Sequence, residues 1–595
     1  MAKGESVHSF ARQEPGAKNP GSVVESKRME KWKELWNECK NRPVQAVIGA
    51  YLLVLGCGLS LYLYDGYYQI SYDKFLFWRK SSLIFMVLLI IALGFMALIA
   101  RENRSRFHLV RIFRPMDLTD WGMLAYGLFC TVSFFFAVDR NEALWGTYGW
   151  QVGWLSQLVM IFWYFAVKKL YRWHRASSWF LLSGAMIVMM IGILQRMGMI
   201  EISDGVGEGM YLSTIGNINW YAGYLSVMVP LLFGMFLTSE DHPAYTIGYS
   251  LCILTAFLAL ISNGSDSVYL LLLGVSVMTA VLSLSTLTKF RRFCLILAMF
   301  GIAGELIYLY LSHSPAESFL AYNHDNLSMV LTDNHRGLLF AAGAALLYAF
   351  GSALHRKKGV IASGKVLETV MKVITVIAVP GVLAFTFAQA YDLLPLKNSW
   401  GTSRGVLWRL SAQIYQTFPA YRKLIGVGPD CFHAYISGTK LAKALVDELY
   451  GGKILTNAHS EIFTMVMNLG WLGALSFLFM TASSVYESIL AYFKEETKDD
   501  FSLIRILVIA GVMAHFLVSF QHMLLMPYFL VLLGMNPNPA FAKPSEEPGL
   551  ADGTRGKDNA SSKPQKTGSA RKQPETPAPK KTADRKFSGK RKKKR

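Results

Sequence analysis

The chain has 595 residues, of which 53% are hydrophobic, 13% aromatic and only 17% charged, with a net charge of +20. Charged residues normally make up about a quarter of a soluble chain, and a disordered, collagenous or coiled-coil protein would lack this aromatic content. An ordinary cytosolic enzyme is excluded too, because the apolar residues fall in blocks of about 20, the length that crosses a bilayer. Six cysteines are scattered singly, mostly inside those blocks (Cys57, Cys130, Cys252, Cys294). Without a CxxC pair, neither a zinc site nor a disulfide framework is expected; no cofactor and no metal is assigned.

In chain order, residues 1–43 form a polar segment without a cleavable signal pattern, and its Glu25 to Lys40 part reads as a short surface helix. About fourteen spans follow, or about 12–14 given the shortness of the last, near 44–64, 82–100, 121–138, 154–167, 178–195, 221–237, 247–261, 268–285, 294–311, 338–354, 367–388, 462–480, 502–520 and 524–535. The expected fold is therefore an all-α polytopic membrane bundle: spans over 44–388, one large loop over 389–460, and further spans over 461–535. Inside that loop, Leu410, Ile414 and Phe418 recur at helical spacing, and Thr439 to Tyr450 reads as an amphipathic helix stopped by Gly451 and Gly452.

With the N-terminus in the cytoplasm, the inner connections collect Arg101, Arg104, Arg106, Arg111 and Arg114, then Lys168, Lys169, Arg172 and Arg175, then Lys289, Arg291 and Arg292, then Arg356, Lys357 and Lys358. Outer turns such as 65–73 and 262–267 are poor in Lys and Arg, apart from Lys74, Arg79 and Lys80 at one helix end. That is the positive-inside pattern, so both termini are expected in the cytoplasm, the chain lying in a plasma or inner membrane. The loop 389–460 then lies outside the cytoplasm. The tail 536–595 holds 17 Lys/Arg against 6 Asp/Glu and almost no large apolar residue. Its composition predicts disorder and attraction to anionic lipids of the inner leaflet. A nucleic-acid role is disfavoured, since only Phe587 stands near the terminal basic run as a stacking aromatic.

Four segments on the expected outer face carry possible chemistry: Gly216-Asn217-Ile218-Asn219-Trp220, Ser403-Arg404-Gly405-Val406-Leu407-Trp408-Arg409, Gly426-Val427-Gly428-Pro429-Asp430-Cys431-Phe432, and Asn457-Ala458-His459-Ser460-Glu461 leading to Gly470-Trp471-Leu472-Gly473. As a bare structural reading, Asn219 caps the helix that begins at Trp220, and Gly426 and Gly428 make a tight turn that orients Phe432. His459 falls in the first turn of a helix capped by Asn457, where the positive pole of the helix would keep the imidazole neutral. Arg404 and Arg409 have the paired donors that suit diphosphate oxygens.

In their order and shared face these segments resemble the O-antigen ligase/polymerase superfamily of bacterial polytopic glycosyltransferases. The resemblance covers roughly 120–535 and is strongest from Ser403 to Gly473. It implies transfer of a glycan from undecaprenyl diphosphate to a hydroxyl on a glycan, lipid or protein acceptor, without a metal and with inversion. His459 is then the general base, and Arg404 and Arg409 hold the diphosphate. Asn219, Glu461, Arg336 and Arg140 are further substrate-binding candidates on the same face. Two segments depart from the family pattern. The turn at 262–267 reads Ser265-Asp266-Ser267, and 145–153 reads WGTYGWQVG, both without the family's arginine. Arg140, Arg196 and Arg336 are the candidates to replace it.

Two other classes fit the same composition. A secondary transporter is suggested by the number of spans and by the deep Glu305, with His515 as a second intramembrane ionisable residue. No internal repeat supports it. A membrane scaffold that recruits partners through the basic tail is the third reading.

Overall fold

A computed structural model describes residues 42–102, 115–202, 209–265, 267–313, 326–358, 362–494 and 499–537. The surface-helix segment 25–40, the tail beyond Pro537, and Arg104, Arg106, Arg111, Arg114 and Asp266 lie outside these residues. The described chain is almost wholly helical, and nine of its helices are long and apolar enough to cross a membrane. This is the architecture of an all-α, multi-pass membrane protein.

The first four long helices are α1 (Arg42–Leu59), α2 (Ile70–Glu102), α3 (Leu118–Phe135) and, after the short α4 (Arg140–Trp145), α5 (Trp154–Leu170). Helix α2 starts well before the span expected at 82–100. Its 33 residues rise roughly 50 Å, more than a hydrocarbon core of about 30 Å. The early turns were obscured in the sequence by their charges. Lys74 is in fact buried and donates to the carbonyls of Leu59 (2.8 Å) and Ser60 (3.1 Å), capping the π-helical end Val54–Leu59 of α1. Beyond it, Leu83, Ile84, Val87, Leu88, Ile90, Ile91 and Phe95 are exposed, a continuous apolar face suited to lipid.

Helix α6 (Arg175–Arg196) leads to a two-residue hairpin, β1 (Tyr211–Leu212) with β2 (Gly216–Asn217), and then to α7 (Ile218–Leu237). Helix α7 is enclosed on every side and forms the axis of the bundle. Its last carbonyls are capped by cations. Arg175 donates to Met235 O (3.2 Å) and to Thr238 O, and Arg292 to Leu237 O (3.2 Å), Ser239 O (2.8 Å) and Glu240 O (2.8 Å). Around it come α8 (Pro243–Ile261), α9 (Ser267–Ser283), α10 (Leu287–His313), α11 (Asn326–Leu331), α12 (Arg336–Lys358) and α13 (Gly364–Ala390). Glu305 of α10 accepts from His335 Nδ1 (2.7 Å) and Leu338 N (3.3 Å), so it secures the start of α12.

The long connection 391–460 contains α14 (Trp400–Gln416), α15 (Ala420–Ile425), α16 (Phe432–Gly438) and α17 (Lys440–Tyr450). Helix α17 ends at Gly451 with φ of 63°, the left-handed cap that the Gly451-Gly452 pair predicts. The chain closes with α18 (Glu461–Phe493), α19 (Asp500–Phe516) and α20 (Met526–Gly534).

The two ends of the bundle differ. At one end Gln45 Nε2 donates to Leu170 O (2.6 Å), and Trp173 N donates to Asn536 O (2.9 Å). The start of α1, the basic stretch Lys168 to Arg175 and the base of the tail therefore meet there. At the other end of α5, Gln157 Nε2 donates to Gln521 Oε1 (3.3 Å), beside the long connection.

Near the basic end, Asp120 is fully buried between Lys168 Nζ (2.9 Å), Lys169 Nζ and Tyr164 OH (2.8 Å). It joins α3 to α5, while α3 packs so tightly on α18 that a Cβ at Gly122 would stand 2.7 Å from Met480 Cα. Removing one partner of a buried ion pair typically costs about 3–5 kcal/mol. Asp120→Ala should therefore lower the thermal unfolding midpoint of the detergent-solubilised protein markedly, and Lys169→Met in the Asp120→Ala background should restore part of the loss.

Candidate functional site

The segment that ends the long connection sets the position of His459. Its backbone N donates to Asn457 Oδ1 (2.9 Å), and its φ is 49°, a left-handed value uncommon for a residue with a Cβ. The residue capping α18 is Ser460, and the helix begins at Glu461. His459 thus precedes the helix instead of lying in its first turn, with Asn457 closing a turn around its N–H and not capping the helix. Ser460 Oγ donates to Gln389 Oε1 (3.0 Å) near the end of α13, which fixes the height of this turn on the bundle.

Arg404 lies in the first turns of α14 and is largely buried. Its Nε donates to Val518 O (2.7 Å) and its Nη1 to Gly401 O (2.7 Å). Burial of the His459 ring, reinforced by the Arg404 guanidinium, pushes its pKa down to about 4. The ring is neutral near pH 7, as expected, but desolvation and a neighbouring cation do this, not the helix pole. No hydrogen bond to the ring is formed among the described residues.

The turn between α19 and α20 meets this pair directly. Val518 O receives Arg404, Phe520 packs edge-on against His459 (ring centroids 5.1 Å, 86°), and Gln521 N donates to Glu461 Oε2 (2.6 Å). Glu461 is fully buried, and its other oxygen has no partner among the described residues. Leu524 N donates to His522 Nδ1 (3.2 Å), which leaves Nε2 as the protonated nitrogen of the neutral ring. His522 and His515 are both buried against Gly223 of α7. A Cβ there would meet their Nε2 atoms at 2.5 and 3.1 Å, so only glycine leaves room for two imidazoles.

A second loop closes the site. In the 145–153 segment, Trp150 lies edge-on to Phe520 (4.6 Å, 71°) and to Trp220 (5.6 Å, 81°). Gln151 has φ of 47°, is 4% exposed, and neither amide atom of its side chain has a partner among the described residues. This loop is pinned by Asp430, whose Oδ2 alone accepts from Thr147 N (2.8 Å) and Val152 N (3.2 Å). Burial drives the Asp430 carboxyl well above the usual carboxylate range, against the pull of those two N–H groups. The glycines beside it serve docking. Val427 N and Gly428 N donate to Met467 O (3.1 Å) and Asn468 O (3.0 Å), where α18 breaks at Gly470 (φ 70°).

The remaining expected residues are dispersed. Asn217, not Asn219, caps α7, which starts at Ile218. Asn219 Oδ1 instead accepts from Ser265 Oγ (2.9 Å), joining the 262–267 turn to the start of α7. Arg196 is buried at the same turn and donates to Asn263 O (2.6 Å). Arg409 is held by Asn398 Oδ1 (2.6 Å), Leu396 O (3.0 Å) and Asp392 (3.6 Å), so its geometry braces the loop. Arg336 pairs with Asp333 (3.6 Å) in its own turn, at the start of a helix that packs on α10. Arg140 is exposed at the first position of α4. Sequence reasoning passed over Trp150, Gln151, Phe520, Gln521 and His522. The polar pair Gln521-His522 interrupting an apolar run was the available signal.

No protein-family model matches the sequence, and a search of curated proteins gives no significant match.

Asp430 should act through one carbonyl-like oxygen. Asp430→Asn, which keeps an acceptor there, should leave the 146–152 loop protected from limited proteolysis. Asp430→Ala should expose it to cleavage at least about tenfold faster, since two buried N–H groups lose their partner. Equal protection in both variants would remove Asp430 from this role.

Proposed function

We propose that the chain is a membrane glycosyltransferase that moves a glycan from a polyprenyl (undecaprenyl) diphosphate carrier to a hydroxyl acceptor, as a ligase or polymerase of cell-surface polysaccharide. The observation that carries the reading is the convergence of neutral His459 and Arg404 on the same α19–α20 turn, at one end of an apolar bundle. The motif resemblance to O-antigen ligases and polymerases supports it independently. In this reading about fourteen helices span a plasma or inner membrane. The basic end carrying Lys168 to Arg175 faces the cytoplasm with both termini, and the 389–460 loop lies outside.

The acceptor hydroxyl oxygen attacks the anomeric carbon on the face opposite the diphosphate. As that bond forms, the bond from the anomeric carbon to the diphosphate oxygen breaks, and its electron pair leaves with the diphosphate. The hydroxyl proton passes to a ring nitrogen of His459, and the configuration inverts. Arg404 stabilises the charge on the departing diphosphate. Because that same guanidinium helps depress the basicity of His459, neutralisation of Arg404 by a bound diphosphate raises it when a base is needed.

Glu305, the feature that favoured a transporter, is engaged in holding α12. In proteoliposomes supplied with lipid-diphosphate glycan and acceptor, His459→Ala should reduce turnover by about 10²–10⁴-fold while the protein remains folded. The neutral ring is the active form, and it predominates above a pKa of about 4. On the acid side kcat/KM should therefore hold as pH falls towards that value and drop below it. Full turnover in His459→Ala would refute the mechanism.

A further inference from the structure

The proposed reaction leaves the acceptor open among a sugar, a lipid and a protein. The surroundings of His459 narrow it. Trp150 stands edge-on to both Trp220 and Phe520, and His522 touches the same two rings, which closes a ring of four side chains; Phe520 is the member that borders the proposed base, His459. The polar atoms among them are unusual for a buried place. Trp150 Nε1, Trp220 Nε1, His522 Nε2 and both amide atoms of Gln151 are enclosed without a hydrogen-bond partner among the described residues. Buried polar groups are nearly always satisfied, so several unpartnered donors and acceptors on one aromatic cluster, with Gln151 at positive φ beside Trp150, point to a ligand there.

The chemistry of that set is specific. It offers aromatic surface, three N–H donors of indole and imidazole, and one amide that both donates and accepts. A pyranose matches it, with apolar C–H faces and a rim of hydroxyls that donate and accept. A quaternary ammonium would use the aromatic faces alone and would sit badly near the Arg404 cation.

Resting on the glycosyl-transfer reading above, we infer that this cage holds the terminal pyranose of the acceptor, so that the acceptor is a carbohydrate and not a protein side chain. Phe520 touches both Trp150 and His459, which places a sugar hydroxyl against the base. Arg404, on the backbone side of the same turn, is left to the donor diphosphate. The loop bearing Trp150 and Gln151 is one of the two segments without the arginine that the resemblance leads one to expect, and here it contributes an indole and an amide to sugar binding.

The test uses the full-length protein in nanodiscs. Intrinsic tryptophan fluorescence is titrated with the methyl pyranosides of glucose, galactose, mannose, rhamnose and N-acetylglucosamine, and separately with tetramethylammonium. At least one pyranoside should quench saturably. Its apparent affinity should fall about tenfold or more in Trp150→Ala and in Gln151→Leu, and less in Trp150→Phe, with unfolding midpoints near wild type. Should Trp150→Ala fail to fold, Gln151→Leu decides. In the transfer assay Trp150→Phe should raise KM for the acceptor and leave KM for the lipid-linked donor unchanged. Quenching by none of the pyranosides, equal quenching in the variants, quenching by tetramethylammonium instead, or efficient transfer to a hydroxylated peptide would each overturn the inference. Absence of transfer in the wild type would sink the enzymatic reading, while the binding titration still decides the cage.

Discussion

The turn between α19 and α20 is the piece on which the rest of this end depends. One main-chain carbonyl, Val518 O, orients Arg404; the next aromatic, Phe520, walls His459; the next amide, Gln521 N, holds Glu461 at the start of α18. Each contact joins a different element of the long connection or of the bundle to the same few residues. Because buried backbone groups must find partners, the turn cannot shift without releasing all of them together. The mutual placement of cation, imidazole and carboxyl is thus fixed by backbone geometry more than by the side chains themselves.

The opposite end is built by another rule. There Arg175 and Arg292 close the carbonyl end of α7, and Arg505 donates to Met535 O at the end of α20. Cations stabilise helix C-termini because unpaired carbonyls concentrate negative charge there. The basic residues gathered at this end thus also terminate α7 and α20. Asp120 adds an internal clamp between Lys168 and Lys169. One end is held by charge, and the other presents aromatic rings and orphaned polar groups.

Much of this was legible in the chain. Each apolar run read as a span coincides with a described helix, nine of them long and apolar enough to cross a membrane, and α17 ends at Gly451 as its cap residue predicts. His459 and Arg404 were singled out by motif, and both sit against the α19–α20 turn, Arg404 on Val518 O and His459 on Phe520. The errors have physical causes. Charges at Asp73, Lys74 and Arg79 hid the first turns of α2, because hydropathy cannot foresee that a buried ammonium will cap another helix. Arg409 and Arg336 were read beside Arg404 as further substrate-binding candidates, but local acids and carbonyls hold them elsewhere. Gly426 and Gly428 do make the tight turn expected before Phe432; that they also seat it on the broken helix at Gly470, far along the sequence, had no local signal.

Composition and periodicity by themselves determined that this is a helical chain with membrane-length segments, uneven in its basic residues, with one large connection before α18. These properties follow from local energetics, in which apolar surface and backbone hydrogen bonding select helices segment by segment. Tertiary structure alone decided which residues share a site. Trp150, Trp220, His459 and Phe520 lie in four separate stretches of sequence, and only the packing of α7, α18 and the α19–α20 turn brings their rings together. Such long-range juxtaposition leaves no periodic trace in the chain, because it arises from how helices pack and not from how each one forms.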